Sequence, residues 1–294
     1  MAIINPNVKS EEAAPSGASL NKNLSEEEKR QLVIKSVGDT ISMYEEDERQ
    51  HSFNALICGE SGAGKTYLAR TCRFPVHIDS FDPGGTQGLR DLIRSKDIIA
   101  DTRFENEDPK NPTAYRLWKK IFMDRLTNGY FNYFGTYILD SATTWSDAIM
   151  NWILASASRP GEAPKWEKDY TLQKIEARNM LQLMLNLPCD FFLMGHLESE
   201  KDEVSGKTTY RFMATGKHRT IIPLLFSEIY VMLAESKGPT NIDRKILTAK
   251  DSLYLARTRI GAGKLEKYEE PNIKKLLNKC HFPSNDKENI FKNN

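Results

Sequence analysis

The chain has little cysteine, no long apolar run and almost no net charge, and each shortage closes off a class of protein. Cys58, Cys72, Cys189 and Cys280 are its only thiols in 294 residues. They are too few and too scattered for a disulfide framework, and none stands with another Cys or a His at metal-binding spacing. Reduced, structural thiols in a cytoplasmic setting are expected. No stretch approaches the roughly 18 apolar residues needed to cross a bilayer, and MAIINPNVKSEEAAPSG lacks the basic start and apolar run of a signal peptide. Neither secretion nor membrane insertion is expected. Because 41 basic and 40 acidic residues leave a net charge of +1, any surface for nucleic acid has to be a local patch.

What is present is the composition of a globular protein, with 39% hydrophobic and 28% charged residues. Residues 1–24, rich in Asn, Ser, Glu and Pro, read as a tail. Over 25–50, Ser25 with Glu28 has capping-box spacing ahead of Leu32, Val33, Ile34, Val37, Ile41 and Met43, which predicts an amphipathic helix. Residues 51–282 then alternate strand and helix signals. FNALIC, FPVHID, KDIIADTRF, GTYILD and CDFFLMGH read as strands. TYLARTC, GTQGLRDLIRS, AYRLWKKIFMDRLTNGYF and LQKIEARNMLQLMLNL read as helices. This order predicts an α/β domain with a mostly parallel central sheet flanked by helices. TTYRFMA, SEIYVMLAE, RKILTA and SLYLART, joined by short turns, predict an antiparallel C-terminal extension, and 283–294 returns to tail composition.

Between FNALIC and TYLARTC lies GESGAGKT, residues 59–66, which fills the pattern GxxxxGK[ST] in the strand-turn-helix context that it needs. Gly59, Glu60, Ser61, Gly62, Ala63, Gly64, Lys65 and Thr66 form a loop suited to wrap the phosphates of ATP, with Glu60 on its solvent surface. Lys65 is placed to reach the β- and γ-phosphates, and the Thr66 hydroxyl to ligate Mg²⁺. The metal needs a carboxylate on a neighbouring strand, and Asp140, ending TYILD, supplies it. Asp79 and Asp82 of HIDSFDPGG are candidates to orient an attacking water, although DPGG is also strong turn chemistry. In SGKTTYRFMATGKHRT, residues 205–220, Lys207, Arg211, Lys217 and Arg219 accompany two aromatics with no acid. That mixture suits either single-strand binding or a solvated hairpin.

CGESGAGKT, FPVHIDSFDPGG, TYILDSATTW, FFLMGHLES and ARTRIGAG, in this order, resemble the RecA-like P-loop ATPases of bacteriophages, over roughly residues 50–280. The resemblance implies an ASCE-type core in which Asp140 and Ser141 end the metal-binding strand. It implies that His196 senses the γ-phosphate and that Arg257 and Arg259 reach a neighbouring subunit's ATP site. It also implies that 155–167 and 205–220 are DNA loops, in a protein that forms rings or filaments and acts with other replication or recombination proteins in the host cytoplasm. One feature departs from the pattern: where RecA proteins carry the glutamate of IDxE this chain has Phe81, with Asp82 one step later. Taken alone, His196 is equally a strand-end histidine, and the two arginines equally solvated. A slow, assembly-type nucleotide binder and a small-molecule P-loop kinase therefore stand as alternatives to an ATPase driven by single-stranded DNA.

Overall fold

The structure is a computed structural model that describes residues 24–201, 203, 206, 208–214, 218–238 and 241–292. The chain divides into two units, Met1–Gln50 and His51–Asn294. In the first, helix α1 (Glu26–Glu45) starts on a complete capping box, in which the Glu28 backbone N–H donates to Ser25 Oγ and the Ser25 N–H to Glu28 Oε2. None of its residues is buried.

The second unit is built on an eight-stranded sheet. Its elements follow as β1 (Asn54–Gly59), β2 (Val76–Ser80), α2 (Arg90–Arg94), β3 (Ile98–Asp101), α3 (Ala114–Thr127), β4 (Thr136–Asp140), α4 (Ala142–Ser156), α5 (Lys168–Met184) and β5 (Asp190–Gly195). Then come β6 (Leu197–Lys201), β7 (Thr208–Phe212), α6 (His218–Leu225), β8 (Glu228–Ser236), β9 (Ile242–Leu247), β10 (Tyr268–Glu269) and α7 (Ile273–Lys279). The sheet order is β10-β9-β8-β1-β5-β4-β2-β3, parallel from β8 through β3 and antiparallel at β9 and β10. This is the mostly parallel central sheet flanked by helices, with an antiparallel C-terminal extension, expected from the sequence. Its central strands are near-continuous apolar runs because both faces are covered. One face packs Trp118, Trp145 and Met180 of α3, α4 and α5, and the other packs Leu68, Ala69, Ile273 and Leu276.

Several expectations are corrected. TYLARTC forms only a 3-10 turn over Thr66–Thr71, since Pro75 follows closely and neither it nor the residue before it sustains a helix. SEIYVMLAE is β8, antiparallel to β9 as expected but parallel to β1 on its other side, and SLYLART makes isolated bridges from Tyr254 to Tyr210 and from Arg257 to Ile229 in place of a strand. β6 and β7 form a separate two-stranded sheet. The segment read as a C-terminal tail is pinned along the domain through residue 292: Phe74 N–H donates to Asp286 Oδ1 (2.7 Å), Lys287 N–H donates to the Phe74 carbonyl (2.8 Å), and Phe291 stacks on Phe134. Composition undercounts such a segment because its anchors are a few backbone and side-chain hydrogen bonds and a single ring. All four cysteines are buried free thiols.

At the start of β5, the fully buried Asp190 accepts from the Phe53 N–H (2.9 Å) and Arg73 Nη1 (3.2 Å). Burial pushes its carboxyl up to about 6, against the pull of Arg73. An acid raised in the folded state stabilises the fold below its unfolded pKa, and that contribution is lost as pH rises through the folded one. Asp190→Asn is therefore expected to gain on the wild type by about 2 kcal/mol between pH 4 and 6.5. Denaturant unfolding at the two pH values measures this, and a pH-independent difference would show that Asp190 stays ionised.

Candidate functional site

The loop after β1 turns back on itself through Gly62 and Gly64, at φ 79° and 99°. Lys65 curls inside it, and its Nζ donates to the carbonyls of Gly59 (2.9 Å) and Glu60 (3.0 Å). Burial holds the Lys65 ammonium below its usual pKa, against the attraction of Asp140, Cys58 and Asp82. Glu60 is exposed, as expected. Because the following 3-10 turn is only six residues long, what the loop offers a phosphate is its own N–H groups and Lys65 more than a helix terminus.

Asp140 ends β4, which is not adjacent to β1: β5 lies between them. Across that gap Thr66 Oγ1 donates to Asp140 Oδ2. Asp140 is buried and its carboxyl is raised, by burial first and by the charge of Asp82 as well, while Thr66 and Lys65 oppose the shift. These residues fit a nucleotide and its Mg²⁺. Two hard oxygens converge beside a desolvated ammonium, and Mg²⁺ typically takes one or two carboxylates and completes its shell with phosphates and water. Among the described residues no group of three or more His, Cys, Asp or Glu is placed to hold a metal alone.

The offset at IDxE has a structural cause. Phe81 is buried, stacked on Phe104 and edge-on to Trp118, so the position belongs to the core. Asp82-Pro83-Gly84-Gly85 is a type II turn, closed by the Gly85 N–H on the Asp82 carbonyl (3.0 Å) with Gly84 at φ 71°. It swings Asp82 into the cleft, where Oδ1 accepts from Ser141 Oγ (2.9 Å) and Thr144 Oγ1, and Oδ2 lies 3.4 Å from His196 Nε2. Burial opposes ionisation of Asp82, yet the hydrogen bonds from His196, Thr144 and Ser141 prevail and hold it below the usual carboxylate range. Glu105, which sequence reasoning missed, braces the turn by accepting from Ser80 Oγ (2.8 Å) and the Gly84 N–H (3.0 Å). Thr144 was missed as well, since only the start of α4 beside β2 gives it meaning.

Lys65, Thr66, Asp82, Asp140 and His196 thus line one cleft of about 370 Å³. Asp79 does not join them. It is fully buried and accepts from Trp118 Nε1 (2.8 Å), Tyr137 Oη (2.8 Å) and Arg125 Nη1 (3.0 Å), which makes it part of the core.

The basic candidates separate. Arg257 Nη2 donates to the carbonyls of Pro223 (2.8 Å) and Phe226 (2.6 Å), so its fork is engaged inside its own chain. Arg259 is exposed, and among the described residues its side chain has no hydrogen bond or ion pair. Arg211 on β7 pairs with Glu200 on β6 at 2.7 Å, an acid outside the stretch first considered. Lys207, Lys217 and the Arg219 side chain lie outside the described residues. In 155–167, Arg159 is tied to the buried Asp169 (2.6 Å), whereas Trp166 is 75% exposed beside Tyr170.

Residues 52–260 match the sequence family described as AAA domain. No curated protein matches the chain in sequence. Similar solved structures include a prototypical ATPase from the type III secretion system of pathogenic bacteria, at 15% identity and TM-score 0.40, with 62% of this chain and 52% of that one covered. The chain thus spans about half the length of that ATPase. The RadB recombinase is similar at 11% identity and TM-score 0.38, with 70% of this chain and 81% of that one covered. Among the described residues no helix is long and apolar enough to cross a membrane.

Proposed function

The chain belongs to the AAA-domain family of P-loop ATPases, and from that premise we propose a RecA-like ATPase of bacteriophage type. It binds ATP with Mg²⁺, self-associates, and acts on single-stranded DNA in recombination, annealing or replication, alongside other proteins of those processes. The observation that carries this reading is the convergence of Lys65, Thr66, Asp140, Asp82 and His196 on one cleft.

In this reading the loop N–H groups of Gly59–Thr66 and the Lys65 ammonium bind the phosphates, and Thr66 with Asp140 holds the metal. Mg²⁺ held there would supply positive charge against the phosphates. Asp82 orients the attacking water. His196 touches Asp82 and stands directly before β6, and its carbonyl accepts from the Met213 N–H (2.8 Å) just after β7. A change at the phosphate is thereby felt by the hairpin that carries Arg211. Arg259, unengaged at home, is the residue suited to enter a neighbour's site, where a guanidinium stabilises charge on the transferring phosphoryl group. Arg257 is not.

The test is ATP turnover against protein concentration, with and without single-stranded DNA. Stimulation by DNA, turnover per chain that rises with concentration, and loss of that rise in Arg259→Ala are the expected results. Absence of both stimulation and DNA binding at low salt would sink the DNA part. A second reading, a slow nucleotide-dependent assembly protein, is favoured by the donors already crowding Asp82. Negligible turnover together with assembly that Lys65→Ala abolishes would establish it.

A further inference from the structure

We propose that Arg244 is a second cation of the nucleotide site and contacts the phosphate chain from β9, an assignment that rests on the nucleotide-binding reading above. β8 lies beside β1, with Met232 opposite Gly59, and β9 pairs with β8 so that Ile246 faces Met232 and Arg244 faces Ala234. Alternation along β9 puts Arg244 on the face of Ile246, which packs in the cluster with Leu68 and Ala69 of the turn after the P-loop. The Arg244 side chain consequently lies along the loop. A Cβ on Gly64 would sit 3.1 Å from Arg244 Nε and 3.2 Å from its Cδ.

The charge of Arg244 is not spent elsewhere. Its neighbour Asp243 takes both Lys237 (2.7 Å) and Lys245 (3.1 Å). Arg244 is exposed, and its side chain makes no hydrogen bond or ion pair among the described residues. A guanidinium fork resting on the backbone that wraps the phosphates has the geometry and charge to hold a phosphate oxygen pair, which the point charge of Lys65 does not duplicate. A side chain at position 64 would displace it, so the close approach gives Gly64 a reason beyond its backbone angle.

The experiment compares wild type, Arg244→Ala, Arg244→Lys and Lys65→Ala for binding of ATP, ADP and inorganic tripolyphosphate with Mg²⁺, by calorimetry and competition, after thermal melts establish that each is folded. Arg244→Ala is expected to weaken all three ligands by about ten- to hundredfold, with partial recovery in Arg244→Lys. Affinities within twofold of wild type would overturn the proposal. So would weaker ATP with unchanged tripolyphosphate, which would move the contact to the base or ribose. No binding of ATP by the wild type would instead sink the nucleotide-binding reading, and the role of Arg244 with it.

Discussion

Asp82→Asn is expected to lower ATP turnover by about 10²–10⁴-fold, the usual contribution of a positioned proton acceptor, while ATP affinity changes by a few-fold at most. The substitution keeps the shape of the side chain and an oxygen for Ser141 and Thr144, both of which donate to Oδ1. It removes the charge that the proposed role uses to align a water and accept its proton. Ser141→Ala leaves the carboxylate in place with one donor fewer, so its effect should be smaller than that of Asp82→Asn. Steady-state turnover measured together with nucleotide binding separates these cases. Unchanged turnover in Asp82→Asn would place the water-orienting group elsewhere, and equal loss of affinity and rate would make Asp82 a binding residue.

The other large effect is on stability and lies away from the cleft. Arg125 bridges two buried carboxylates, with Nη1 on Asp79 (3.0 Å) and Nη2 on Asp101 (2.7 Å). Burial opposes ionisation of Asp79, but His77, Arg125 and Tyr137 overcome it and keep the carboxylate charged. Arg125→Met removes the guanidinium from the fully buried Asp79, while Asp101 keeps its pair with Arg103, at a cost of about 3–5 kcal/mol. For a domain of this size that is a fall in Tm of roughly 6–20 °C. Nucleotide affinity of the folded protein should be unchanged, because no member of this network lines the cleft. A fall below about 1 kcal/mol would mean that water reaches the pair and screens it.

The parts of the molecule legible in the sequence are those in which neighbours in sequence are neighbours in function. GESGAGKT is one loop, so its eight residues carried their own context, and TYILD announced Asp140 because an apolar strand must end where the sheet ends. Sequence could not choose between Asp79 and Asp82, since both follow the same strand and only the direction of the DPGG turn separates core from cleft. Glu105, Thr144 and Arg244 were missed because each reaches its place through another element: the segment after β3, the start of α4, and the register of β9. α4 is not among the helices expected from the sequence; it is mostly apolar and packs against α3, α5 and β5. The two arginines of ARTRIGAG were indistinguishable until the carbonyls of Pro223 and Phe226 proved to hold one of them.

The separation of β6 and β7 from the main sheet has a consequence in time. β1, from which the P-loop hangs, is hydrogen-bonded on both sides to parallel strands and is buried along almost its whole length, so opening it means opening the domain. A two-stranded ribbon has little stability of its own, and segments with few buried contacts open far more often than a core does. His196 stands at the junction of the two regimes. The β6–β7 ribbon, held to the domain through the buried Phe212 and the Tyr210–Tyr254 contact, is therefore expected to exchange its amide hydrogens faster than β1 does.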